Sequence, residues 1–506
     1  MQADKSQPFV IPAPVGGWNA RDPLPVMDPK DALTLDNVFP EANLCRVIGR
    51  GTTTDSVAVT DGALQTFAEY FPTDGGSYGI VADGDNFRLV TIGGTFTGSP
   101  RAHGGAGRWE SVNFNGSIIF VSGICAPEAF NGTTWSNPTY TGITDPTKLS
   151  HVDAYKSRLY FIEANTQNIW YGGIRNISGT LTQYDVAGIM RRGGSLVFAG
   201  SLTKDTRNGI TDFFVICTNQ GEVLFFTGDN PGASNWQIAG RAYIGAPMGK
   251  RAFCSFKSDL LVATTDGIVS LSNMLETGEP EYLTTKIQNA YNLAATSATS
   301  TDGWELKYWP SGHMLILNVP QSYPTDVHQY VMNTYTGAWC RFKGIQAAAL
   351  CPIRNKLFYT VRGSSTNSIV EFGTGAQPPD DIEIQSAFLP LGDEYTIKQV
   401  KRIRPFWNSA RGFRYFLECP TDFEEVRLYN LVRAQNVGST PWGSPWGSPW
   451  SLGPRTNPAF FSVDCKTGVF FSYRIKTQQA NGGDYIPPAG TTLSAVSFIF
   501  EQGGII

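Results

Sequence analysis

Between residues 60 and 375 one local pattern keeps returning: an apolar run, a short turn rich in Asp, Asn and Gly, then a second apolar run. That order marks a β-hairpin, because such turn residues tolerate the backbone angles that fold two strands back on each other. Ile80-Val81-Ala82 and Phe87-Arg88-Leu89-Val90 flank the turn Asp83-Gly84-Asp85-Asn86. Phe214-Val215-Ile216-Cys217 and Glu222-Val223-Leu224-Phe225 flank Thr218 to Gly221. Leu260-Leu261-Val262-Ala263 and Ile268-Val269-Ser270-Leu271 flank Thr264 to Gly267. Related units occupy Phe114 to Val121, His151 to Ile162, Met314 to Trp339 and Lys356 to Phe372. The spacing is about 45 residues, the length of one propeller blade. A lone hairpin cannot bury an apolar face, whereas blades stacked around an axis can. The expected fold is all-β: a β-propeller of seven blades, or six where two degenerate units merge.

Several units end in a turn followed by tryptophan: Asn131 to Trp135, Gly232 to Trp236 and Thr336 to Trp339. A tryptophan on an outer strand can cover the seam to the next blade. The 54 glycines and 31 prolines are spread along the chain, as many short strands and turns require. After about residue 380 the texture changes, and Phe413 to Leu417, Val469 to Tyr473 and Val496 to Phe500 read as strands of a second β domain. Three regions are expected: 1–59 as an N-terminal segment joined to that domain, 60–380 as the propeller, and 381–506 as a sandwich or barrel. The best helix signal is Asp28 to Asp36, where Asp28 fits an N-cap, Pro29 the first helical position, and Asp31 the positive helix end.

Composition narrows the function classes. The formal net charge is −4, so no basic excess advertises nucleic-acid binding, although DNA could still slide past a surface that avoids phosphate ion pairs. The eight cysteines include no C-x-x-C pair and sit in apolar stretches, which predicts reduced core residues. The start, Met1 to Val10, has no signal-peptide pattern, and no apolar run is long enough to span a membrane.

The N-terminal stretch is more telling. Gly16-Gly17-Trp18-Asn19-Ala20-Arg21-Asp22-Pro23, Asp31-Ala32, Asp36-Asn37-Val38-Phe39-Pro40 and Arg46 to Gly51 resemble the opening of tail nozzle proteins of short-tailed phages, the tail-tubular-B-like or packaged-DNA-stabilising family. Arg191-Arg192-Gly193-Gly194, Gly221-Glu222-Val223, Ile244 to Gly249, Asn333 to Trp339 and Phe500 to Gly504 match in the same style. The resemblance implies a virion protein, made in the host cytoplasm and placed in the tail. There it would form a homo-hexameric ring below the portal and head-to-tail adaptor. That ring would continue the DNA channel, retain packaged DNA, pass double-stranded DNA without sequence preference at ejection, and lie near tail fibres or a needle. The family offers no catalytic residues to carry over, so a structural chain without enzymatic activity is expected.

Other sites read as ordinary structure. His103, His151, His313 and His328 lie far apart without ligand spacing, so neither metal nor cofactor is expected. Asp83-Gly84-Asp85-Asn86 lacks the ligand spacing of a calcium loop. Asp229 to Trp236 is similar to the turn motif of sialidase-like propellers, but its Gly and Trp are misplaced and no arginine triad accompanies it. The alternatives are a host-glycan-binding or glycan-degrading tail propeller. Candidate assembly contacts are Trp18, Arg21 and the period-four tryptophans Trp442, Trp446 and Trp450, whose prolines Pro445 and Pro449 forbid an ordinary helix.

Overall fold

The computed structural model of the protein describes residues 6–58, 62–105, 107–206, 209–322, 326–362, 366–376, 378, 381–410, 412–424, 430–434, 455–456, 461–462, 467–477 and 487–505. The chain forms two compact units: one of Thr53–Val327 with Gln346–Glu371, the other of Met1–Thr52, His328–Ile345 and Phe372–Ile506. The second unit thus gathers three separated stretches of chain. Residues 328–345 belong to it, including 328–339, which the repeat pattern places in the sixth hairpin unit.

The first unit is a seven-bladed β-propeller. Its inner strands are Thr66–Tyr70, Glu110–Phe114, Leu149–Tyr155, Leu196–Thr206, Phe253–Phe256, Glu305–Trp309 and Ala349–Ile353. Each begins a run of antiparallel strands, and six of the hairpins named above supply neighbouring strands of one blade; of the remaining one, Met314–Ser322 pairs with Glu305–Trp309, whereas 328–339 fall in the second unit. Apolar clusters fill the seams. Phe87, Trp109 and Phe120 join blades one and two, and Val121, Val152 and Phe161 join two and three. Tyr160, Ile162, Phe214 and Ile216 join three and four, while Phe198 stacks on Phe253 at 4.3 Å between four and five. Trp135 lies flat on Phe87 of the preceding blade at 4.9 Å, and Trp236 stacks on Phe226 at 5.1 Å and reaches Tyr160 of blade three. These rings cover seams to the preceding blade and not to the next one as expected, and the third, Trp339, belongs to the second unit.

Closure uses a strand from the other end of the unit. Thr52–Ala58 adds to the last blade beside Thr366–Glu371, and Thr54 Oγ1 donates to the Ile369 carbonyl at 3.1 Å. Leu64, Phe67 and Val81 of blade one then pack against Cys351, Ile353 and Phe358 of blade seven.

Among the described residues two α-helices occur, Leu271–Thr277 and Gln288–Ser297. The first begins where the sequence reading ended a strand. Ser270 caps it by accepting from the Asn273 N–H, and Gly278 ends it in the left-handed conformation.

The second unit is built of two β-sheets. Ser6–Pro12 pairs antiparallel with Thr492–Ile505, which also pairs with Thr396–Ser409. The other sheet runs Trp339–Phe342, Asp31–Asp36, Glu383–Ser386, Arg474–Lys476 and Phe413–Glu418. Trp407 of the first sheet meets Phe413 and Tyr415 of the second, and Tyr473 meets Phe498, so the core lies between the sheets. The helix expected over residues 28–36 is a strand, Asp31–Asp36, pairing with Glu383–Ser386. A register shift between Ala32 and Thr34 inserts Leu33, breaking the alternation and leaving apolar positions at near-helical spacing. Tertiary pairing overrides the local cap signal.

Candidate functional site

Two places gather chemistry-bearing residues. The first is the centre of the propeller. All seven inner strands contribute to one polar cavity of about 380 Å³. In a blade the innermost strand alternates its side chains between the seams and the axis. Leu149–Tyr155 shows the consequence: Val152 enters a seam cluster, while His151 and Asp153 line the cavity.

Four carboxylates, of Glu69, Glu110, Asp153 and Glu305, line it together with Arg251 and Lys307. Arg251 is buried and donates to Glu110 Oε1 at 3.1 Å, the Gln65 carbonyl at 2.5 Å, Thr66 Oγ1 at 3.0 Å and the Trp109 carbonyl at 2.7 Å. It ties the approach to blade five to blades one and two. Glu305 Oε2 accepts from the Leu350 N–H at 3.0 Å, and its Oε1 lies 3.5 Å from Lys307 Nζ. Glu69 accepts from Ser77 Oγ at 2.6 Å and from the Arg354 N–H at 2.9 Å. Burial pushes the Asp153 carboxyl up to about 7 and lowers His151 from its ordinary value. The burial of Cys254 raises its thiol to about 12, so it is no ready nucleophile.

Sequence reasoning treated His151 as structural and did not single out Asp153, Glu110 or Arg251. The alternation His151-Val152-Asp153 on an inner strand was the available signal.

The second place lies within the two-sheet unit. Gly17 has φ of +87°, and a Cβ there would come 2.6 Å from the Trp339 backbone, so only glycine allows this approach. Trp18 is 5% exposed, meets Tyr330 edge-on at 5.3 Å, and carries the Arg341 guanidinium 5.0 Å from its ring centre. Asn19 Nδ2 donates to Asp31 Oδ2 at 2.8 Å. Asp36, buried, takes a bidentate pair from Arg341 at 2.7 and 2.9 Å and a third contact from Lys343 at 2.6 Å. Asn37 receives the Lys343 N–H at 2.8 Å, and Asn333 donates to the Pro40 carbonyl at 2.9 Å.

The sequence candidates therefore fall in different settings. Trp18 is packed inside its unit. Arg21 is exposed and paired with Asp22 at 2.6 Å. Trp442, Trp446 and Trp450 lie outside the described residues. Among the described residues no three His, Cys, Asp or Glu side chains cluster as a metal site would need. Among the described residues no helix is long and apolar enough to cross a membrane.

No family model and no curated protein matches the chain. Solved structures do match. A streptogramin B lyase is 8% identical, covering 63% of this chain and 97% of its own, with a TM-score of 0.40. Virginiamycin B lyase from Staphylococcus aureus is 9% identical over 62% of this chain and 98% of its own, with a TM-score of 0.38. YCF48 bound to a D1 peptide is 12% identical over 65% and 98%, with a TM-score of 0.37. The likeness is one of fold. It nevertheless corrects the expectation that the chain is not an enzyme: similar propellers include lyases, so this architecture gives no ground for excluding catalysis.

Proposed function

We propose that this chain is a virion subunit of the tail-nozzle kind, forming a homo-hexameric ring that continues a DNA channel below a portal and adaptor. One observation carries the reading. Two of the stretches that resemble nozzle proteins, Gly16 to Pro40 and Asn333 to Trp339, lie far apart in the chain (Pro40 and Asn333 are separated by 293 positions), yet they meet in one structural node. Gly17 closes on the Trp339 backbone and Asn333 donates to the Pro40 carbonyl, while Asp36 and Asn37 are held by the neighbouring Arg341 and Lys343. Chance matches in two such distant stretches have no reason to meet in space. The node braces a unit whose strands come from both ends of the chain, Ser6–Pro12 on Thr492–Ile505. Such a unit suits a platform that must hold its shape in a ring. Closed rings need heterologous contacts that return on themselves by rotation.

Mixing the purified chain with adaptor-bound portal tests this. Mass photometry is expected to show six copies joining, roughly 330 kDa for chains of 55.2 kDa. A chain that stays apart from the portal and is retained on host-glycan arrays would support the glycan-binding reading instead.

A further inference from the structure

The propeller cavity contains two acceptors with nothing to accept from. His151 is 3% exposed, and its Nε2 lies 2.8 Å from the Ala199 carbonyl oxygen. A carbonyl only accepts, so Nε2 holds the proton and Nδ1 presents a bare lone pair. That Nδ1 has no hydrogen-bond partner, and neither has the buried Oδ2 of Asp153. The two side chains share the cavity-lining face of Leu149–Tyr155, roughly 6.5 Å apart along the strand. Unmet buried acceptors are rare in folded proteins and ask for a donor.

The charge on the walls decides which donor. Four carboxylates face two cations, and those cations are engaged: Arg251 with Glu110 and Lys307 with Glu305. Asp153 has no cationic partner. His151 offers a lone pair and no charge, since burial disfavours the imidazolium. A ligand that complements this wall brings positive charge and N–H groups. With no third metal-ligating side chain clustered beside them among the described residues, the pair suits an organic cation better than a metal ion. Leu306, Tyr308 and Pro352 supply apolar wall for a short alkyl chain, and the volume is that of a small-molecule site.

We propose that the central cavity binds a small alkyl ammonium compound, whose N–H groups donate to Asp153 Oδ2 and His151 Nδ1. The probe is 1,4-diaminobutane, titrated into the full chain at pH 8, where the Asp153 carboxyl is ionised, at constant ionic strength and followed by calorimetry and by nitrogen NMR of histidine-labelled protein. Saturable binding is expected, with the His151 Nδ1 resonance moving upfield as its lone pair accepts a hydrogen. Asp153→Asn, which keeps the shape and removes the charge, is expected to weaken binding at least tenfold. Butane-1,4-diol, of similar length and uncharged, is expected to give no saturable heat. The proposal is overturned by diamine binding that is absent, that matches the diol, or that survives Asp153→Asn unchanged. Should that variant not fold, the wild-type NMR titration still decides, because an unmoved Nδ1 resonance overturns the assignment.

Discussion

Arg251 reaches across the propeller with one planar fork, and its loss is expected to be costly. Arg251→Met leaves Glu110 without its cation and strands the acceptors at Gln65, Thr66 and Trp109. Breaking a buried pair from one side costs about 3–5 kcal/mol. Arg251→Lys should recover little, because an ammonium cannot meet four acceptors spread in a plane. Urea denaturation of both variants at pH 7 checks this; unchanged midpoints would mean the blades hold without the tie. Asp153 behaves oppositely. Its folded carboxyl titrates at about 7, above its ordinary 3.8, because burial disfavours the charged form. Folding therefore takes up a proton between those values. Its contribution is intact below about pH 4 and is lost as the pH rises through 7. Asp153→Asn is thus expected to leave stability unchanged at pH 4 and to raise it at pH 8, by about 1–2 kcal/mol. Denaturation at the two pH values measures the difference, and an equal effect at both would refute the assignment.

Among elements, the parallel approach of Gly17-Trp18 to Asp31-Ala32 depends on a missing side chain. Gly17→Ala would drive a Cβ into the Trp339 backbone and force a left-handed residue, at about 2–4 kcal/mol. A thermal scan should register it as a clear drop in melting temperature. Trp135→Ala should cost less, about 1–3 kcal/mol, because that ring is half-buried on Phe87. The hairpins were legible because each carries its own turn chemistry. Asp83 Oδ1, for example, accepts from the Asp85 and Asn86 N–H groups and closes its turn without outside help. The strand Asp31–Asp36 was illegible because its bulge and its partner, Glu383–Ser386, lie outside any local window. The helix Leu271–Thr277 was legible in principle: Ser270, then Leu271, Met274 and Leu275, then Gly278, is a cap, a stripe and a stop. The sequence reading instead ended the preceding strand on its first residue, Leu271, and assigned nothing to 272–277. The cavity acceptors were invisible for another reason. Inner strands place side chains from seven distant segments around one axis, and no single segment reports that convergence.

For the whole molecule, the strand Thr52–Ala58 decides when the propeller is complete. Thr54 bonds to Ile369, 315 residues later in the chain. A ribosome adding 5–20 residues per second needs about 15–60 s to cover that distance. For that interval blade one exists without its neighbour, and Leu64, Phe67 and Val81 have no blade-seven surface to meet. The newborn chain thus carries an uncovered apolar blade face, a known hazard for association between chains. Stalled nascent chains ending before residue 349 should be cleaved readily by protease, and resistance should appear once residue 371 has cleared the ribosome. Resistance that instead grows blade by blade would mean the open arc is stable alone. For such a protein, the speed of translation and the supply of chaperones set the yield of finished rings as much as the stability of the closed ring does.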